Sequence, residues 1–165
     1  KRVLGAYGLQ SAKESNRIFL DVRLFYTYGA GQKANSLINQ LFQCSLGNEI
    51  MQLSPCEIFR DYIHISDVVE GMKKIICVNQ SGIVNLGSGQ VIQLKEFVKL
   101  FWKELGASPD QLKFGAHDQP AYEQSQPKSF ADVSKLKKLT NWSPTTSIKE
   151  GIRLTVQKMK LVGKL

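Results

Sequence analysis

FRDYIHISDVVEGM, residues 59–72, passes from a strand into a helix, and its reading decides the fold of the chain around it. RDYIHI (60–65), carrying Tyr62, Ile63 and Ile65, reads as a short strand. Beyond it Val68, Val69, Met72, Ile75 and Ile76 fall at helical spacing, with Ser66/Asp67 placed to cap that helix. A strand feeding a helix is the building step of an α/β fold. Just upstream, EIMQL (49–53) reads as a second short strand, set off by the turn-like Ser54-Pro55-Cys56.

The flanking segments continue the alternation. DVRLFYTYG (21–29), rich in β-branched and aromatic residues, predicts one buried strand entering the glycine loop Gly29-Ala30-Gly31, an edge suited to a ligand site. SLINQLFQCSLG (36–47) predicts a helix opened by Ser36, with Leu37, Ile38, Leu41, Phe42 and Cys44 on its apolar side and Gly47 at its end. GIVNLGSG (82–89) is a strand ending in a glycine turn, and Leu94, Phe97, Val98, Phe101 and Leu105 trace one helix face closed by Gly106. LKFG (112–115) is a further short strand. Residues 116–129, with Pro120, Pro127 and no periodicity, predict a loop long enough to act as a lid or site wall. Two short helices finish the chain, one after Asp132 and one opened by Ser147-x-x-Glu150, with Ile148, Ile152, Thr155, Val156 and Met159 inward.

Composition narrows the class of function. A chain of 165 residues, 42% hydrophobic and 22% charged, fits one globular domain and excludes a disordered segment or a disulfide scaffold. Cys44, Cys56 and Cys77 have no ligand-like spacing, so they read as reduced thiols, and no metal site is expected. No apolar run approaches the roughly 20 residues of a membrane span, and KRVLGAYGLQ lacks a signal-peptide core, so the reading is cytoplasmic with no membrane partner. The net charge of +8 is scattered along helices without aromatic interleaving, so a nucleic-acid partner is not expected.

Three features carry chemistry on physical grounds. Arg60 has a fixed fork of donors suited to a diphosphate, and equally to an ion pair with Asp61 or Asp67. Asn85, in the turn Asn85-Leu86-Gly87-Ser88-Gly89, offers a donor and an acceptor beside a backbone that a ligand can approach closely; a plain tight turn reads the same way. Tyr7 and Lys13 make a candidate catalytic pair, an ammonium lowering a phenol's pKa toward general acid/base use, although six residues apart is an awkward helical offset.

RLFYTYGAGQ (23–32), FRDYIHISDVVEGM (59–72), GIVNLGSGQ (82–90) and FADVSKLKKLTNWSPTTSIKEGI (130–152), in that order, resemble the extended short-chain dehydrogenase/reductase family of NAD(P)-dependent nucleotide-sugar epimerases, dehydratases and reductases. The resemblance implies an α/β fold of mixed short strands and helices, the C-terminal substrate-binding portion of a Rossmann-type enzyme. Residues 1–28 would be the remnant of the catalytic helix and one sheet strand, and 29–165 the nucleotide-sugar-binding portion. It further implies that Arg60 binds the nucleotide diphosphate, that Gln32, Asn35 and Ser36 and also Asn85 touch the nucleotide sugar, and that Tyr26 borders the cofactor. Tyr7 and Lys13 are then the catalytic residues, with a tyrosinate moving the hydroxyl proton during hydride transfer between NAD or NADP and a hexose carbon, and the enzyme is a homodimer.

The departures from that family pattern are specific. Tyr26 replaces the usual asparagine and Ala30 the loop proline, and Tyr26-Thr27 is closer to the branch that includes CDP-abequose-type sugar reductases than to the galactose epimerases. The family's second arginine is absent from the long loop, where Tyr122 or Lys128 stands instead. The Gly-x-x-Gly-x-x-Gly turn that holds a cofactor pyrophosphate is also absent, so an incomplete version of a longer enzyme is expected, with a non-catalytic sugar-nucleotide-binding or regulatory module as the alternative.

Overall fold

Both long strand runs expected from the sequence break at one residue, where the chain changes partner. The computed structural model describes residues 2–47, 49–124 and 128–162, the side chains of Tyr122 and Gln124 excepted. Strand β1 (Leu20–Leu24) pairs in parallel with β6 (Gly82–Leu86), from Leu20 opposite Gly82 to Leu24 opposite Leu86. After Phe25 the chain leaves that sheet, and β2 (Tyr26–Tyr28) pairs in parallel with β5 (Tyr62–His64). The second run breaks at Asp61: β4 (Phe59–Arg60) lies between β7 (Ile92–Gln93), antiparallel, and β9 (Lys128–Ser129), parallel. A fourth pair joins β3 (Met51–Leu53) to β8 (Leu112–Phe114).

The β1–β6 pair is covered on both faces, as parallel sheets require. Leu20 and Val22 point into a core with Ile63, Val68, Ile75, Val84, Leu86 and Leu136, beneath helices α3 (Ile65–Ile76) and α6 (Ser134–Thr140). Asp21, one residue out of phase, points at α1 (Arg2–Glu14), where a Cβ on Gly5 would lie 2.5 Å from its Oδ2. Gly71 serves the same purpose on α3, since a Cβ there would meet Leu86 at 2.7 Å and Trp142 at 2.9 Å. Strand β6 comes from the 29–165 segment and β1 from the 1–28 segment, so this sheet is built from both.

The larger core fills the space between α2 (Leu37–Ser45), α4 (Leu94–Leu105) and α7 (Ile148–Val162), with Leu41, Phe97, Val98, Phe101, Ile152 and Val156 buried among them. Helix α4 ends as expected at Gly106, whose φ of 80° is left-handed. Helix α2 is capped as expected by Ser36, which accepts a bond from Asn39 N at 3.4 Å.

Three expectations are corrected. The cap of α3 is His64, whose Nδ1 accepts from Ser66 N at 3.3 Å; Asp67 is buried instead, its carboxylate accepting from Thr145 N and, at 2.9 Å, from Thr146 N. The final helix is 15 residues long rather than short, because its apolar stripe has α4 to pack against along its length. Within 116–129, the helical turn α5 (Ala121–Gln124) and strand β9 are formed, since β4 offers an edge that β9 completes. Among the described residues no helix is long and apolar enough to cross a membrane.

Candidate functional site

The two partner changes, at Phe25 and Asp61, bring Tyr26, Arg60 and Ser129 together. Tyr26 N donates to the Asp61 carbonyl at 3.2 Å, and Asp61 N donates to the Ser129 carbonyl at 3.0 Å. The Arg60 side chain is drawn inward, 4% exposed, with its guanidinium carbon 5.2 Å from the Tyr26 ring centroid and Nη1 donating to the Phe59 carbonyl at 3.0 Å. A planar cation on an aromatic face is attracted by the ring quadrupole, the more so when water is excluded. Tyr26 itself is 46% exposed and, with Leu24, Phe25 and Ser129, lines a cavity of about 300 Å³.

A chain of rings fixes this wall to the larger core. Tyr26 lies 5.9 Å from Tyr62, which stacks on Phe97 at 4.2 Å and 14°. Burial pushes the Tyr62 hydroxyl far above its usual pKa of 10.0, more than the Arg60 charge lowers it, so it stays protonated.

Asp61, which the sequence offered only as an ion-pair partner for Arg60, is the node of the region. It is 0% exposed. Oδ1 accepts from Ser88 N at 2.7 Å and Ser88 Oγ at 2.6 Å, and Oδ2 accepts from Gly89 N and Ala131 N, both at 2.9 Å. With Asp67 engaged by Thr145 and Thr146, both candidate carboxylates are occupied by N–H and O–H donors. Gly87 lets these segments close up, since a Cβ there would fall 2.5 Å from the Ala131 Cβ. Asn85 is tied to the same group of segments, its Nδ2 donating to the Asp132 carbonyl at 3.1 Å. Nothing local in the sequence singles out Asp61, because its donors lie in segments distant from it.

The loop of Gln32, Asn35 and Ser36 is fixed from within. Gln32 Nε2 donates to the Thr27 carbonyl at 2.9 Å, and Gln40 Nε2 donates to the Asn35 carbonyl at 3.0 Å. Asn39, not singled out from sequence, donates from Nδ2 to the carbonyls of Gln32 and Lys33 at 2.6 and 2.8 Å. Behind this loop an apolar cavity of about 820 Å³ runs between α2 and α7, bordered by His64 and Lys158.

Tyr7 and Lys13 are not brought together. Helix α1 is continuous from Arg2 to Glu14, so six residues place them about 9 Å apart along the axis and about 120° apart around it. Tyr7 is 71% exposed. Tyr122 falls in α5, with its side chain outside the described residues, and Lys128 lies over the Phe59 ring at 5.2 Å. Among the described residues no His, Cys, Asp and Glu group has the arrangement of a metal site.

A family model for GDP-mannose 4,6 dehydratase matches residues 8–155. The chain belongs to that family. It is 31% identical over 144 residues to the CDP-abequose synthase of Salmonella muenchen, covering 82% of this chain and 46% of that protein. In three dimensions it matches UDP-glucose 4-epimerase of Thermotoga maritima, solved with UDP-glucose, at a TM-score of 0.85 and 22% identity, over 98% of this chain and 52% of that one. It matches dTDP-glucose 4,6-dehydratase of Bacillus anthracis, solved with NAD, at a TM-score of 0.84 and 18% identity, over 96% and 50%. The chain spans about a third to a half of the length of the curated relatives it matches and about half of these two solved chains.

Among the described residues no glycine-rich turn opens directly into a helix, so they do not by themselves form a dinucleotide site. In the Rossmann arrangement a glycine-rich turn presents helix N-terminal amides to the pyrophosphate. Here α3 and α4 begin at the caps His64 and Gln93 without a glycine turn, and α2 begins beyond a loop that its own side chains fill.

Proposed function

We propose that this chain is the nucleotide-sugar-binding portion of an NAD(P)-dependent epimerase, dehydratase or sugar reductase. The observation that carries the reading is the Arg60 guanidinium held against the half-exposed Tyr26 ring at the edge of the cavity lined by Tyr26 and Ser129. A sugar nucleotide joins a flat base and a sugar through a diphosphate. A buried guanidinium beside an open aromatic wall suits the diphosphate, because a dry cation strengthens a charge-assisted bond.

In this reading Arg60 anchors the diphosphate and Tyr26 walls the side toward the reacting sugar and cofactor. Gln32, Asn35 and Ser36 border the ligand at the N-terminus of α2, where the helix dipole favours an anion. Asn85 and Tyr122 complete the surround. Anchoring the unreactive part of the substrate is how such a site presents the sugar. NAD or NADP is held chiefly by polypeptide outside these residues, and the working enzyme is a cytoplasmic homodimer.

For this chain alone the geometry favours binding without catalysis. Tyr7 is exposed, Lys13 lies on another side of α1, and neither carries a proton step in this reading. Calorimetric titration of the 165-residue protein with UDP-, CDP-, GDP- and dTDP-glucose tests it: saturable binding of at least one is expected, and no heat with any of the four overturns it.

A further inference from the structure

We infer that Asp61 is a positioning residue of the diphosphate site: its carboxylate clamps the 87–89 turn and the 129–131 segment to strand β4, so that Arg60 is fixed against Tyr26. The inference rests on the binding reading above and adds to it the residue through which Arg60 is held.

The geometry is that of a clamp rather than of a simple structural carboxylate. A carboxylate is acceptor-only, and each Asp61 oxygen takes two donors. The donors come from segments 27, 28 and 70 residues away, and none belongs to the elements adjacent in sequence. The main chain of the same residue receives Tyr26 N and donates to the Ser129 carbonyl, two of the residues that line the neighbouring cavity. One residue thus joins the strand carrying the guanidinium to Tyr26 and to Ser129. An asparagine would fill the same space but put an amide NH₂ where one oxygen now meets two N–H or O–H donors, leaving those donors facing a donor.

The test uses nucleoside diphosphates and monophosphates of uridine, cytidine, guanosine and thymidine, measured by calorimetry on the full chain, with thermal melting alongside. Wild-type protein is expected to prefer one diphosphate over its monophosphate, because Arg60 meets the second phosphate. Asp61→Asn is expected to shrink that preference at least fivefold while monophosphate affinity stays within twofold. Adding Asp61→Asn to Arg60→Ala is expected to weaken diphosphate binding no further, since Asp61 acts through Arg60.

A purely structural role predicts something different: equal weakening of both ligands, or a lower melting temperature with the preference intact, and either result overturns the inference. If Asp61→Asn does not fold, Ser88→Ala removes one bond to Oδ1, together with the two its hydroxyl makes with Gln90, and supplies the same comparison. A reduced preference supports the clamp, and an unchanged one overturns it. Wild-type protein that binds none of the eight nucleotides overturns the binding reading and this inference with it. Preference kept in the folded variant overturns this inference alone.

Discussion

The two cores of this molecule differ in how much apolar surface each buries. The one between α2, α4 and α7 is filled by Leu41, Phe97, Val98, Phe101, Ile152 and Val156 and backed by stacked aromatics reaching Tyr26. The other, under α3 and α6, rests on Ile63, Val68, Ile75, Val84, Leu86 and Leu136, and its flanking helices leave Val3, Leu4, Val69 and Ile76 exposed. Burial is roughly proportional to area removed from water, so the first core supplies most of the stability. The second holds the parallel β1–β6 pair, with α1 on one face and α3 and α6 on the other. The site lies on the seam, at the two residues where strands pass from one core to the other.

The largest expected effect tests that ranking. Phe101→Ala, at the centre of the larger core, is expected to cost about 3–5 kcal/mol in denaturant unfolding. Leu86→Ala, equally buried in the smaller core, is expected to cost about 2–3 kcal/mol, the low end of the range for Leu→Ala, because surroundings with fewer large side chains collapse more easily into the gap. A Leu86→Ala loss equal to that of Phe101→Ala would break the comparison.

The seam has its own test. Gly151 in α7 faces Tyr28, which belongs to the larger core, and His64, which caps α3 over the smaller one; an added Cβ would collide with the Tyr28 hydroxyl and meet the His64 Cβ at 3.2 Å. Tyr28 is fully buried and cannot swing away. Gly151→Ala is therefore expected to destabilise by about 1–2 kcal/mol, overpacking outweighing the better helix propensity of alanine. A melting temperature raised by this change would show the seam to be loose.

These cores were legible in the sequence to unequal degrees, for a physical reason. Periodicity reports which face of an element is buried, so most of the inward sets of α4 and α7 could be read directly, Trp102 excepted, as could Ser36 as a cap and Gly106 as a stop. It does not report partners. The breaks at Phe25 and Asp61 come from pairing with strands distant in sequence, which residue types along the strand do not report. Asp61 reads as one more charged residue until Ser88, Gly89 and Ala131 are folded against it. Arg60 was legible as a residue type suited to a diphosphate, but its burial against Tyr26 was not, because that depends on β9 closing the edge of β4.

At the site, Arg60→Ala is expected to weaken sugar-nucleotide binding about tenfold, about 1.4 kcal/mol, in calorimetry. Arg60 lies on the seam and belongs to neither core, so its loss is expected in binding rather than in stability. A variant that loses stability like Phe101→Ala, yet binds as before, would make Arg60 a packing residue rather than an anchor.

The smallest effect is a pH dependence at the same seam. Burial lowers the pKa of His64 below 6.5, more than the nearby carboxylates of Asp67 and Glu150 raise it. Its Nδ1 accepts from Ser66 N at the start of α3, a bond that protonation would remove while placing a cation at the positive end of the helix. Because the folded-state pKa is the lower one, the unfolded chain binds the extra proton. The contribution is therefore complete above pH 6.5 and is lost as pH falls through the folded-state value. Wild-type protein is expected to lose more stability between pH 7.5 and 5.5 than His64→Asn, which keeps a cap acceptor and has no proton to take up in that range. Identical pH slopes would mean that the imidazole is solvated in the folded protein, and that the two cores meet less tightly at His64 than its 5.3 Å edge-on contact with Tyr28 requires.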